Sequence, residues 1–386
     1  MTALRALSLL AILTLLPPAA QGADPLCLGE NLRRELVLAE LPARLRNQLQ
    51  AELRLATLEM TTPGTLPTTG ARIYLLSEEP ESLPTLVAKV FRHDSQEMIE
   101  EAQAIRLIQR LGLRHSSTPK IRYLGKVDRT GEPLLISSYM GEDLESVIAA
   151  ATHGSTATHE SRSAAFDGVS RASRGLQELH AQGPHLLSNH SSVLEYFEYE
   201  LNKLKALTQD LESESPLRKR LEERVRLTSD EADRLARIFS HARKNYERVG
   251  VKNPSMIHGD AHPGNLTRVP DSDRLGIFDA PALIGFADGH GDPLADVGRF
   301  SAGIIVTALE RGTSLDLARQ LQERFLGEYF QLAGLSRAEN RTALKFHQLR
   351  FYGVVLSEAL RHRLKVGHRA RRQLIELVLR EFESRT

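Results

Sequence analysis

The chain has 386 residues, 41% of them hydrophobic and 26% charged, with a formal net charge of +1. That length suits two ordinary domains or one bilobal enzyme, and the composition is that of a soluble globular protein. A near-neutral balance with 5% aromatics and no Trp argues against a nucleic-acid partner, which needs a basic field or a stacking surface.

The chain opens like an export signal. One positive charge in Met1 to Arg5 precedes the apolar run Ala6 to Leu16, then Pro17 and Pro18, then the small residues Ala19 to Ala23. The expected organisation starts with a signal peptide at 1–22, making the protein periplasmic or secreted. If that segment is not a signal, the protein is cytoplasmic. An apolar helix of this length is too short to span hydrocarbon, which takes about 20 residues, and no later segment reaches that length. The mature chain is therefore expected to have no membrane span. Cys27 is the single cysteine; it can form no internal disulfide and belongs to no Cys/His metal cluster.

Leucines recurring at three- to four-residue steps predict an amphipathic helix over 30–60. A turn-rich stretch follows from Thr61 to Gly70. Strands are predicted at Ala71 to Leu76 and Thr85 to Phe91. A helix is predicted from Ser95 to Leu111, acidic at its start, basic at its end and closed by Gly112. Two more strands, Ile121 to Val127 and Pro133 to Tyr139, flank the turn Asp128-Arg129-Thr130-Gly131. From Glu142 the pattern turns helical: one helix over Ser163 to Ala181 after a loop at 151–163, helices over 191–249 broken near 213–216 and 228–230, and helices again over 293–386. Two short strands are expected to flank the segment 258–265.

That segment carries the chemistry. His258-Gly259-Asp260-Ala261-His262-Pro263-Gly264-Asn265 sets a carboxylate and a carboxamide five residues apart, and Asp279 follows the apolar run Leu275 to Phe278. One Asp to take a proton from a hydroxyl, with an Asn and an Asp to hold Mg²⁺, is the inventory for phosphoryl transfer from ATP. Asp260 is the candidate base, and Asn265 and Asp279 are the candidate metal ligands. Asn265 also opens a formal glycosylation sequon, Asn265-Leu266-Thr267. His258 is expected to organise the loop. His262 either does the same or faces substrate.

These motifs, with Gly291-Asp292-Pro293-Leu294-Ala295-Asp296, resemble the aminoglycoside phosphotransferase and choline kinase group of the protein-kinase-like fold. The resemblance runs from about Thr61 to near the C-terminus. It implies an α+β, bilobal fold: a small antiparallel-sheet N-lobe (23–136, with the N-terminal helix) and a larger, mostly helical C-lobe (137–386) carrying the catalytic loop. It implies ATP and Mg²⁺ as cofactors and a hydroxyl-bearing small molecule as substrate. On the same ground Lys89 matches the strand lysine that touches nucleotide phosphates, and Glu101 its helix partner, with Glu97 and Glu100 as competitors. Thr69 and Gly70 fall in the phosphate-covering loop, which holds no G-x-G-x-x-G, and Tyr139 falls in the linker beside adenine. Asp292 and Asp296 are expected to brace the loop, and His180 to pack or cap. The sequence departs from the commoner family form after Asp279, where Ala280-Pro281-Ala282 stands.

Two other readings compete with the small-molecule kinase. A protein or lipid kinase of the same fold is one, against which no Ala-Pro-Glu segment follows Asp279. An exported, non-catalytic nucleotide-binding module is the other. The basic run with Arg361, Arg363, Lys365, Arg369, Arg371 and Arg372 reads either as a solvated helical face or as a contact for an anionic group.

Overall fold

The computed structural model describes residues 59–61, 72–77, 84–91, 95–126, 132–152, 157–182, 190–212, 215–280, 289–312, 314–361 and 368–383. The signal segment, the expected helix up to residue 58, and Thr69 and Gly70 lie outside the described residues. Two compact units emerge: one ends at Ile99 and takes in Lys120–Tyr139, and the other comprises Glu100–Pro119 and Met140 onward.

The first unit is a five-stranded antiparallel sheet. Its strands are β1 (Glu59–Thr61), β2 (Arg72–Ser77), β3 (Pro84–Val90), β5 (Ile121–Lys126) and β6 (Pro133–Ser138), in the order β1-β2-β3-β6-β5. The two central strands β3 and β6 are buried on both faces: Leu86, Ala88, Lys89 and Val90 of β3, and Leu134, Leu135 and Ile136 of β6. Lys89 lies in register with Ile73 on one side and Leu135 on the other. β1 corrects the expected helix over 30–60 at its end. Met60 and Thr61 pair with Leu76 and Leu75, and β-branched Thr61 suits extended backbone.

The second unit is mainly helical. Helix α1 (Ser95–Leu111) runs from the first unit into it, and Gly112, at a φ of 61°, turns the chain out of the helix. Then come α2 (Leu144–Thr152), α3 (His159–Ala181), α4 (His190–Glu212), α5 (Pro216–Val225) and α6 (Ser229–Val249). Helix α3 starts four residues before the expected Ser163. Thr158 and Ser161 form a reciprocal capping box, which satisfies backbone N–H groups that a later start would leave open. Thr228 and Glu231 do the same for α6, and Ser215 with Pro216 starts α5.

Short strands frame the loop that follows. β7 (Ser255–Met256) pairs with β10 (His290–Gly291). β8 (Leu266–Arg268) and β9 (Leu275–Ile277) form an antiparallel pair, extended by a parallel two-residue strand, β4 (Ser116–Ser117). Four helices complete the unit: α7 (Pro293–Glu310), α8 (Leu315–Leu332), α9 (Arg341–Arg361) and α10 (His368–Phe382). Helix α7 is buried almost all round, from Pro293 through Leu309 with Arg299 the exception. It is buried because α8, α9 and α10 pack around it, with its polar residues Asp296 and Arg299 turned to the loop that precedes it. Among the described residues, no helix is long and apolar enough to cross a membrane.

Candidate active site

The loop after β7 is built around two buried polar residues. Asp296, fully buried on α7, accepts hydrogen bonds from the backbone N–H of His258 (2.7 Å) and of Gly259 (2.9 Å). His180 Nε2 lies 3.1 Å from the same carboxylate, and its Nδ1 lies 2.7 Å from the Tyr329 hydroxyl. Burial works against ionisation of Asp296, but the His180 hydrogen bond and the backbone donors outweigh it and hold its pKa below the ordinary value. Asp296 therefore braces the loop as expected. His180 does more than pack or cap the end of α3, since it is a hydrogen-bonding partner of that brace.

His258 is the second organiser. Its Nε2 lies 3.0 Å from the Phe278 carbonyl, and its Nδ1 accepts from the Asp260 N–H at 3.2 Å. That pair of contacts requires a neutral ring protonated on Nε2. Burial, the largest influence, pushes its pKa down and agrees with the neutral form. His258 thus ties the loop to the end of β9 and holds no exchangeable proton toward solvent. Gly259 has a φ of 86°, a left-handed conformation that a side chain would strain, and it turns the chain so that the next residue faces outward.

That next residue is Asp260, with its side chain 42% exposed. Asn265 Nδ2 donates to the Asp260 carbonyl (3.0 Å) and to Asp260 Oδ2 (3.1 Å). Two acceptors around one end of the amide identify that end as the NH₂ and turn Oδ1 away from the carboxylate. Arg299 Nη1 lies 3.3 Å from Asp260 Oδ1. Burial opposes ionisation of Asp260, but His262, Arg299 and His258 together hold its pKa below the ordinary value. His262 caps the 3-10 turn Pro263–Asn265 by accepting from Gly264 N–H at 3.1 Å. Its ring also stays 31% exposed, with Nε2 3.9 Å from Asp260 Oδ2, so organising the loop and facing outward are both open to it. Gly303 of α7 allows the loop to approach, since a Cβ there would stand 2.4 Å from Pro263 Cδ.

Asp279 follows β9 in a left-handed conformation, with a φ of 53° that Asp tolerates better than most residues. The Phe278 N–H reaches the Asn265 carbonyl at 3.4 Å, and the Asp279 charge acts on His258. Asp260, Asn265 and Asp279 are therefore gathered around one loop. An amide oxygen and a carboxylate fit Mg²⁺, which keeps water and takes its remaining oxygens from phosphate. Among the described residues no group of three or more His, Cys, Asp or Glu is placed to hold a metal.

Asp292 caps α7. It accepts from Leu294 N–H (2.9 Å) and the Tyr246 hydroxyl (2.6 Å), with His347 Nε2 at 3.3 Å. Lys89 is buried on β3, its ammonium 5.4 Å from the Phe91 ring centroid. Lys89 and Tyr139 belong to the first unit, and Glu101, half-buried on α1, to the second. In the basic run, Arg371 is buried and Arg372 is engaged within the chain by Glu231, at 2.6 and 2.8 Å, and by Glu376 at 2.8 Å. Sequence reasoning missed Arg299. Its signal was helical spacing: Asp292, Asp296, Arg299 and Gly303 recur at four, three and four residues along one face of α7.

The fold is of the protein-kinase-like kind. The family model "Phosphotransferase enzyme family" matches residues 68–347, and the chain belongs to that family. It is accordingly a phosphotransferase. No curated protein matches the chain. Among solved structures, it is similar to the GDP and kanamycin complex of APH(2″)-IIIa at 17% identity, covering 89% of this chain and 100% of that one, with a TM-score of 0.51. It is similar to a glucosamine kinase at 15% identity, over 88% of this chain and 84% of that one, with a TM-score of 0.51. A putative aminoglycoside phosphotransferase from Ralstonia eutropha matches at 15% identity over 88% and 98% of the two chains, with a TM-score of 0.50. At such identities the likeness is one of fold.

Proposed function

We propose that this chain transfers the γ-phosphate of ATP to a hydroxyl of a small molecule, with Asp260 as the base. The observation that carries the reading is the setting of Asp260: a half-exposed carboxylate fixed between the Asn265 amide and the Arg299 guanidinium, on a loop braced by a buried Asp296. Oδ2 accepts from Asn265 and Oδ1 faces the Arg299 guanidinium as an ion pair, so both oxygens keep lone-pair capacity. Asp260 can therefore accept from an acceptor hydroxyl, orient it, and receive its proton as the bond to phosphorus forms. Bound Mg²⁺ would neutralise phosphate charge, and Asn265 Oδ1 with the Asp279 carboxylate would hold it. Asn265 then has two duties, its Nδ2 on Asp260 and its Oδ1 on the ion, which couples the base to the metal through one planar group.

Nucleotide-binding roles for Lys89, Glu101, Tyr139, Thr69 and Gly70 belong to the same proposal. Lys89→Ala is expected to weaken Mg-ATP binding. The acceptor is a hydroxyl-bearing molecule within reach of Asp260. Kanamycin and glucosamine, present in the names of the similar structures, are the first candidates. An exported chain processed near Gly22 or Ala23 is also part of the reading, and mass spectrometry of the native N-terminus checks it: a chain that retains Met1 removes it.

The test is Mg²⁺-dependent nucleotide consumption by the purified protein across alcohols, sugars and aminoglycosides, run with ATP and with GTP. Acceptor-dependent turnover that Asp260→Asn abolishes supports the proposal. Turnover equal in wild type and Asp260→Asn, or no turnover with any acceptor, refutes it.

A further inference from the structure

Behind the Arg299–Asp260 ion pair lies Glu200, a buried charge to which the proposed chemistry gives no role. The Arg299 side chain, 11% exposed on α7, reaches forward to Asp260 Oδ1 at 3.3 Å. Behind it, Nη2 lies 3.8 Å from Oε1 of Glu200, which is 1% exposed on α4. Glu200 Oε2 faces Arg350 Nε at 3.5 Å and His347 Nδ1 at 3.9 Å, both on α9. Neither Glu200 oxygen makes a hydrogen bond within the structure. Two carboxylates and two guanidinium groups thus form a row from the loop surface into the helical core. His347 continues it to Asp292, the cap of α7.

Such a row is a poor way to stabilise a fold. Removing several charges from water costs several kcal/mol per ion, and apolar replacements of similar volume are often neutral or stabilising. What the row accomplishes is geometric. Arg299 faces one oxygen of Asp260 as an ion pair while Asn265 donates to the other, so the carboxylate is engaged from both sides. A guanidinium on a long, flexible stem can do that only if its own position is fixed. Glu200, on a different helix and itself faced by Arg350, supplies a buried counter-charge at its far edge.

We propose that Arg299 is a positioning residue for Asp260, anchored from behind by Glu200. This inference rests on the reading of Asp260 as the base. Loss of Arg299 leaves Oδ1 of Asp260 without its counter-charge, while Asn265 and His262 both lie on the Oδ2 side, so the carboxylate gains freedom to rotate about its last bond. A nucleophile misplaced by as little as 1 Å loses about 100-fold in rate. The defect falls on kcat, because neither Arg299 nor Glu200 has a part in holding nucleotide.

The experiment uses the full chain with Arg299→Gln, Arg299→Lys, Glu200→Gln and Asp260→Asn, each checked by thermal melting. kcat and KM for Mg-ATP are measured with the acceptor that gives turnover, and the Arg299→Gln crystal structure is compared with wild type. Expected results are a kcat of Arg299→Gln lowered about 10- to 100-fold, a KM for Mg-ATP within about twofold, and a smaller loss of kcat in Glu200→Gln. Arg299→Lys, which keeps the charge, recovers part of the rate. In the crystal, the Asp260 carboxylate rotates or loses order. If Arg299→Gln does not fold, Arg299→Lys and Glu200→Gln carry the test, each with kcat reduced and KM kept. Unchanged kcat in the folded variants, or an Asp260 carboxylate unmoved without Arg299, overturns the inference while Asp260→Asn stays inactive. If Asp260→Asn is itself fully active, the base reading fails and this inference fails with it.

Discussion

Asp260 has neighbours on each carboxylate oxygen and an open face toward solvent. Its replacement by Asn keeps the shape and removes the capacity to accept a proton. Asp260→Asn is expected to lower kcat by about 100- to 10,000-fold, the range of a lost general base, and to leave Mg-nucleotide affinity nearly unchanged by equilibrium titration. Asp279 needs a different choice of variant. Its φ of 53° is tolerated by Asn, which Ala would strain, so Asp279→Asn separates the loss of a metal ligand from a change of backbone. That variant is expected to lose Mg²⁺-dependent nucleotide binding by more than about tenfold, or 1.4 kcal/mol, while its melting temperature holds. That Asp260 and Asn265 share one loop was legible in the sequence, because the spacing from His258 to Asn265 confines them to one turn. Arg299 and Glu200 were not. They sit on helices far along the chain from the loop, and a lone Arg or Glu on a helix reads as a solvated charge until tertiary packing buries it.

The element that positions the site is α7. Asp292 caps its start, Asp296 in its first turn holds the loop, and Gly303, further along the same face, lets Pro263 approach. Asp296→Ala leaves two buried N–H groups and His180 without their acceptor. At about 1–3 kcal/mol for each unsatisfied group, it is expected to cost several kcal/mol in a denaturant titration, far more than Asp260→Asn. A melting curve indistinguishable from wild type removes the bracing role. Most helix limits could be read from the sequence because breaks such as Ser213 to Pro216 and Thr228 to Asp230 carry their own caps. Other pieces escaped. β4 is two residues long and exists through parallel pairing with β9, a contact that no local pattern encodes. β1 forms because β2 offers an edge, where the local sequence continued a leucine periodicity.

Across the whole molecule, stability is expected to depend on pH through carboxylates with opposite shifts. Glu310, at the C-terminal end of α7, is pushed up to about 7, first by burial and then by the charge of Glu145. A raised carboxyl pKa means that the folded chain holds a proton which the unfolded chain has lost. Stability therefore falls as pH rises from about 4.5 to about 7, by at most about 3 kcal/mol. Glu310→Gln is expected to raise the denaturant midpoint at pH 8 and to change it little at pH 4; equal effects at both values contradict this. Glu231, held down to about 2 first by its hydrogen bond from Arg372, acts in the other sense. Its contribution is complete above the ordinary carboxyl range and is lost as pH falls toward 2. The central claim is the transfer itself, and [γ-³²P]ATP with an accepting alcohol tests it most directly. Wild type is predicted to move label, in a Mg²⁺-dependent manner, onto the alcohol as an isolable phosphate ester, and Asp260→Asn to move none. Label appearing on the ester at the same rate in both proteins would contradict the account.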